Sequence, residues 1–140
     1  MFLIDTDVLS ELRKRTRNPC VVSWISSQAS ADLFLSAVSV GEIERGIVQQ
    51  RRKNKEFAEA LVTWLDKLIT LYEGRILPVD LAICRRWGRL SAEIGHDGTD
   101  LMIAATAIEH GLSVVTRNTK HFAPTGVSVI NPFLPQGDTP

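Results

Sequence analysis

The sequence predicts an α/β domain in which a mostly parallel central sheet is flanked by helices on both faces. Three observations predict it. Short apolar runs, Phe2–Ile4, Leu33–Leu35 and Val114–Val115, have the composition of strands covered on both sides. Segments with helical spacing separate these runs. The order, strands alternating with helices, is that of parallel sheets built from crossover units.

Taken in order, Phe2 to Ile4 reads as the first strand, and Val8, Leu9 and Leu12 begin helical spacing at once. Pro19, followed by Val21, Val22, Trp24 and Ile25, predicts a second short helix with proline in its first turn. Leu33 to Leu35 reads as the next strand and Ser39 to about Gln50 as a helix. After a break at Lys53 and Asn54, the stripe Phe57, Leu61, Trp64, Leu65, Leu68 and Leu71 marks a long amphipathic helix, so the two form a hairpin. Gly74 ends it. Ile76, Leu77 and Val79 make a brief extended segment around Pro78. Leu81 to Ile94 returns to helical spacing before the turn-forming Gly95, His96, Asp97 and Gly98. A helix from about Thr99 to His110 carries Leu101, Ala104, Ala105 and Ile108 on one face, with Gly111 placed for a C-cap. Val114 and Val115 end a strand at Thr116, and Val127 to Ile130 reads as the last one.

The chain has 140 residues, and about 150 per domain is usual, so residues 1–133 are expected to form one domain and 134–140, rich in proline and glycine, a frayed tail. With 44% hydrophobic and 23% charged residues, the composition excludes a disordered or low-complexity chain. Sixteen Lys and Arg balance sixteen Asp and Glu, so no global field draws nucleic acid or membrane. Local basic groups remain: Arg13, Lys14, Arg15 and Arg17; Arg51, Arg52, Lys53 and Lys55; and Arg85, Arg86 and Arg89. Each suits phosphates and equally suits a solvated surface. Cys20 and Cys84, far apart and without a metal-type spacing, are expected as reduced core thiols of a cytosolic protein. The opening MFLIDTDVLSELRKRTR has acids in its apolar part and bases after it, the reverse of a secretory signal. No apolar run approaches the roughly 20 residues of a membrane span.

In open α/β sheets, ligands collect at the carboxyl ends of the strands. Asp5 directly follows the first strand, Glu42 is expected in the first turn of the helix after the second, and Thr116 and Asn118 follow Val115. Asp100 opens the helix leading into that strand. The five are expected to line one pocket. Carboxylates that close raise one another's pKa, and a divalent cation removes the conflict. Oxygen ligands without a histidine cluster or cysteine pair indicate a hard ion, Mg²⁺ or Mn²⁺, held by Asp5, Glu42 and Asp100 directly or through water. Such an ion polarises a phosphoryl oxygen and activates water, so the implied reaction is phosphodiester hydrolysis.

Each residue also has a local explanation. Asp5 can cap the helix that starts near Thr6. Ser39-Val40-Gly41-Glu42 matches a capping box. Asp100 suits a first helical turn and Asn118 a turn. His96, His110 and His121 share no ligand spacing.

The segments FLIDTDVLSEL, SAVSVGEIERGI, DLMIAATAIEHGLSVVTRN and INPF, in that order, resemble PIN-domain ribonucleases of the VapC toxin type, close to the FitB-like branch. The resemblance spans Phe2 to Phe133. It puts the family's acidic positions on Asp5, Glu42 and Asp100, its fourth, Asp or Asn, on Asn118, and its hydroxyl residue on Thr116. It implies Mg²⁺- or Mn²⁺-dependent endonucleolytic cleavage of RNA, neutralisation by a cognate DNA-binding antitoxin whose tail enters the acidic groove, and a homodimer or larger assembly with that antitoxin. The chain departs from the family at Asp7, where Asn is commoner, and at His121, where many members carry an acid. Two alternatives compete. Asp5-Thr6-Asp7 resembles the DxD of haloacid-dehalogenase-like phosphatases, with Asp5 as nucleophile. The chain could also be a non-catalytic partner that helps an antitoxin repress its operon.

Overall fold

Residues 1–135 are described by a computed structural model; the last five positions of the expected tail lie outside the described residues. The elements follow the alternation expected from sequence. They are β1 (Phe2–Ile4), α1 (Thr6–Arg13), α2 (Pro19–Ser26), β2 (Leu33–Ser36), α3 (Ala37–Arg51), α4 (Lys55–Leu71), β3 (Ile76–Leu77), α5 (Leu81–Ile94), α6 (Thr99–His110), β4 (Ser113–Val115), α7 (Thr119–Phe122) and β5 (Val129–Ile130). All strand pairs are parallel, in the order β3-β2-β1-β4-β5.

The chain lays strands outward on one side of β1, through β2 and β3, then returns to its other side with β4 and β5. The crevice between β1 and β4 is therefore the switch point at which such sheets bind ligands. Ile4 pairs with Val115 there, so Asp5 and Thr116 emerge side by side from the strand ends.

Alternation along the strands builds two cores. Ile4, Leu35 and Val115 face one way, against Val8, Ile43, Ile47 and Leu65 of α1, α3 and α4. Leu3 and Val114 face the other way, against Ile103, Ala104 and Ala107 of α6 and Phe122 of α7. Helix α5 packs outside α6 through Ile83 and Leu90. Gly111 caps α6 at φ 67°, a left-handed conformation that glycine adopts without cost.

Short α7 escapes sequence reading because one turn carries no periodicity. It is held by Phe122, which is fully buried. Phe122→Ala should cost about 3–5 kcal/mol, read as a lower urea midpoint, since it leaves a phenyl-sized hole under the sheet.

Three expectations require correction. Helix α3 starts at Ala37 and is capped by Ser36, whose side chain accepts from Val38 N at 3.0 Å. Ser39 is thus inside the helix and buried, Glu42 stands in the second turn, and no capping box joins them. The last strand is shorter than expected, because Gly126 ends a 3₁₀ turn that runs from Ala123 to Thr125. Neither cysteine is a core residue. Cys84 is exposed and Cys20 half-buried, because the apolar face of α5 runs through Ile83, Trp87 and Leu90 and leaves position 84 outward. Among the described residues no helix is long and apolar enough to cross a membrane.

Candidate active site

Asp5 follows β1 and caps α1, its Oδ1 accepting from Thr6 N at 2.9 Å. The local and functional explanations therefore coexist in one carboxylate. Its Oδ2 accepts from Thr116 Oγ1 at 2.8 Å across the β1–β4 crevice, and the side chain is only 4% exposed. Thr116 Oγ1 also stands 3.4 Å from Asp7 Oδ2 and accepts from Asn118 N at 3.0 Å. A hydroxyl has one proton to give, so the shorter contact is its hydrogen bond and the longer one measures how close the two carboxylates lie. Asp7 Oδ2 accepts from Arg117 N at 3.0 Å, while its Oδ1 is buried with no hydrogen bond.

These acids are electrostatically poised. Burial, and then the negative charge of Asp7, push the Asp5 carboxyl up to about 7, with Asp100 adding to the effect and the Thr116 and Thr6 bonds opposing it. Burial likewise raises Asp7, against the bond from Arg117 N.

Glu42 reaches the same edge from α3. Two hydroxyls hold it, Thr6 Oγ1 on Oε1 at 2.8 Å and Thr99 Oγ1 on Oε2 at 3.1 Å. Thr6 opens α1 and Thr99 opens α6, so Glu42 ties together the helix starts that carry Asp7 and Asp100. Asp100 Oδ2 pairs with His121 Nδ1 at 2.9 Å, and His121 comes from α7, which Phe122 anchors. Asn118 is exposed and joins the network through its backbone.

All five expected positions therefore meet at one sheet edge, and Asp7, which departs from the family pattern, joins them through its contacts with Thr116 and Arg117 N. Thr6 and Thr99, expected only as helix starts, are the residues that hold Glu42. The signal available was a threonine at the first position of each helix beside an expected acid. Two surface clefts flank the cluster. One includes Thr6 and Glu42, the other Asp100 and His121.

Among the described residues no three His, Cys, Asp or Glu side chains form a ready-made cage for a metal. The donor chemistry nevertheless fits a hard cation. The buried Asp5 crowds the half-buried Asp7, whose Oδ1 is enclosed without a hydrogen bond, and Mg²⁺ needs only one or two carboxylates because it keeps several waters.

The basic groups are partly occupied elsewhere. The Arg13 guanidinium lies 5.0 Å from the Phe57 ring centre, Lys14 pairs with Glu11, and Arg86 pairs with Glu109. Arg117, whose N–H serves Asp7, lays its guanidinium 3.6 Å from the ring centre of Phe133, so the INPF segment folds back onto the loop after β4.

Comparison with known proteins agrees with this architecture. The model of the PIN domain family matches residues 2–126. VapC ribonuclease Y4jK of Sinorhizobium fredii is 34% identical over 142 residues, covering 96% of this chain and 99% of that protein. Toxin FitB of Neisseria gonorrhoeae is 33% identical over 140 residues, covering 95% and 99%. The structure of FitAB bound to an IR36 DNA fragment has a TM-score of 0.85 at 31% identity, over 99% of this chain and 100% of that one. The matched span runs from β1 past α7 and so contains every acid of the switch-point cluster, and on that match the chain belongs to the PIN domain family.

Proposed function

We propose that the protein is a metal-dependent endoribonuclease acting as the toxin of a toxin–antitoxin pair, with residues 1–133 as its folded unit and the cytoplasm as its place of action. The observation that carries the reading is the buried Asp5, held by Thr116 at the switch point, with Asp7, Glu42 and Asp100 beside it. The names VapC ribonuclease and FitB toxin, borne by similar proteins, support the activity and the role.

In this mechanism Asp5, Glu42 and Asp100 would hold Mg²⁺ or Mn²⁺ directly or through water, and Asp7, close to Asp5, would add a further carboxylate. When bound, the ion supplies Lewis-acid polarisation of the scissile phosphate and a lowered pKa for water. Thr116 fixes the rotamer of Asp5 and stabilises its ionised form. Thr6 and Thr99 clamp Glu42 from both sides, so its charge stays aimed at the cluster. His121 holds Asp100, and Asn118 lies at the rim where it can meet substrate. The phosphatase alternative would leave Glu42, which Thr6 and Thr99 hold at the cluster, without a role.

A cognate antitoxin is the expected partner, and a homodimer or a larger complex with it the expected assembly. That a FitAB structure holds DNA supports a partner with DNA-binding capacity.

The test is purified protein incubated with total bacterial RNA. Discrete 5′ and 3′ ends should accumulate with Mg²⁺ or Mn²⁺ and vanish with chelator, and readdition of metal should restore them. A protein that only assists repression would cut nothing under any of these conditions.

A further inference from the structure

The cleft on the Glu42 side of the cluster has a mixed character that the hydrolytic mechanism does not use. It measures about 230 Å³ and lies between α1, α3 and α4. Thr6 and Glu42 form the end that joins the acids, so whatever fills it touches the catalytic edge. Beyond them the walls carry Phe57 and Trp64 from α4, Gln49 and Gln50 from α3, and Arg13 from α1. Gly46 keeps the space open, since a Cβ added there would meet nothing within 4 Å.

We infer that this cleft is a nucleobase subsite, which takes one unstacked base of the RNA strand next to the cut bond. The inference rests on the endoribonuclease reading. Sites for whole small ligands begin near 300 Å³, so a space this size suits a single planar group. Aromatic faces accept any base by stacking, and arginine beside them is the combination that single-strand binders use. The side-chain amides of Gln49 and Gln50 each offer donors and an acceptor, which is what reading the edge of a splayed base requires. An apolar peptide helix would call for a longer greasy groove with anchors at helical spacing, and here polar side chains interrupt the wall. Continuity with Glu42 sets the distance: the base belongs to a nucleotide adjoining the scissile phosphate.

The experiment uses short single-stranded RNAs randomised around one cleavage site, with Mg²⁺ or Mn²⁺, and a matched set in which each flanking nucleotide in turn is abasic. The wild-type protein should show a base preference at one flanking position, and an abasic residue there should slow cleavage about 10-fold or more. Gly46→Leu, which fills the open space, and the double variant Gln49→Ala/Gln50→Ala should lose that preference and cut intact and abasic strands equally. Both changes favour helix, so retained thermal stability is expected and checks the fold. As a second readout, 4-thiouridine at the preferred position should photo-crosslink to the peptide holding Phe57 or Trp64 in the cleavage-dead Asp5→Asn protein. Three results would overturn the subsite: variants that keep the wild-type preference, abasic strands cut at full rate by wild type, or variants that lose only affinity for a protein partner. If wild-type protein cuts no RNA with either metal, the endoribonuclease reading falls as well, whereas cleavage without the expected preference removes the subsite alone.

Discussion

Asp5→Asn is expected to abolish metal-dependent RNA cleavage and, at the same time, to make the metal-free protein more stable at neutral pH. The amide keeps the acceptor for Thr6 N and the partner for Thr116, so the strand end and helix cap survive. What disappears is the charge. Loss of several kcal/mol of metal-derived stabilisation corresponds to about 10³-fold or more in rate. The stability gain follows from linkage. Folded Asp5 keeps its proton up to about 7, whereas in the unfolded chain it releases it near 3.8. Between those values the native state binds more protons, so wild-type stability falls as pH rises from about 4 to about 7 and levels off above. The fall contributed by Asp5 should be about 2–4 kcal/mol, and the variant should lack it. Denaturant midpoints of both proteins at pH 4.5 and pH 8, without metal, check this. Equal stability at the lower pH and an advantage for Asp5→Asn at the higher is the expected pattern. Mg²⁺ should close the gap by binding only the wild type. Equal curves at both pH values would show that the Asp5 carboxylate costs nothing to bury.

Thr116→Val is the second large effect. The side chains are near-isosteric, so packing at the strand end is conserved, but the buried Asp5 Oδ2 loses its donor. An orphaned acceptor of this kind costs about 1–3 kcal/mol. Because the Thr116 bond lowers the Asp5 pKa, its removal raises that pKa further, and protons compete better with metal. Cleavage at pH 7 should drop by about 10- to 100-fold, with part of the loss recovered as the pH is raised towards 9, since each pKa unit is worth about 1.4 kcal/mol. Thr116→Ser, which restores the hydroxyl, should restore the wild-type pH profile. A uniform loss at every pH would assign Thr116 to packing alone.

Much of this was legible from the residue pattern. Runs such as Phe2–Ile4 and Val114–Val115 carry the signature of strands buried on both faces, and the rule about strand ends then groups Asp5 with Thr116 although 110 residues separate them. Helix boundaries were harder. Serines at 36 and 39 both suit an N-cap, and only the end of β2 at Ser36 decides between them, a tertiary fact with no local trace. The clamp on Glu42 was hidden for the same reason: Thr6 and Thr99 look like ordinary helix starters until the fold brings both within reach of one carboxylate. His121 stood out only as a departure from family pattern, and its bond to Asp100 depends on a one-turn helix too short for periodicity to reveal.

The stacking of Arg117 on Phe133 has a consequence for the balance of charge at the sheet edge. A guanidinium laid over an aromatic ring is held in place through its face, while its N–H groups, which lie in its own plane, can still donate. The cation is thereby fixed beside Asp7, and its charge favours the ionised carboxyl there against the effect of burial. Phe133, far from Asp7 in sequence, thus decides where positive charge stands at the rim of the acidic cluster.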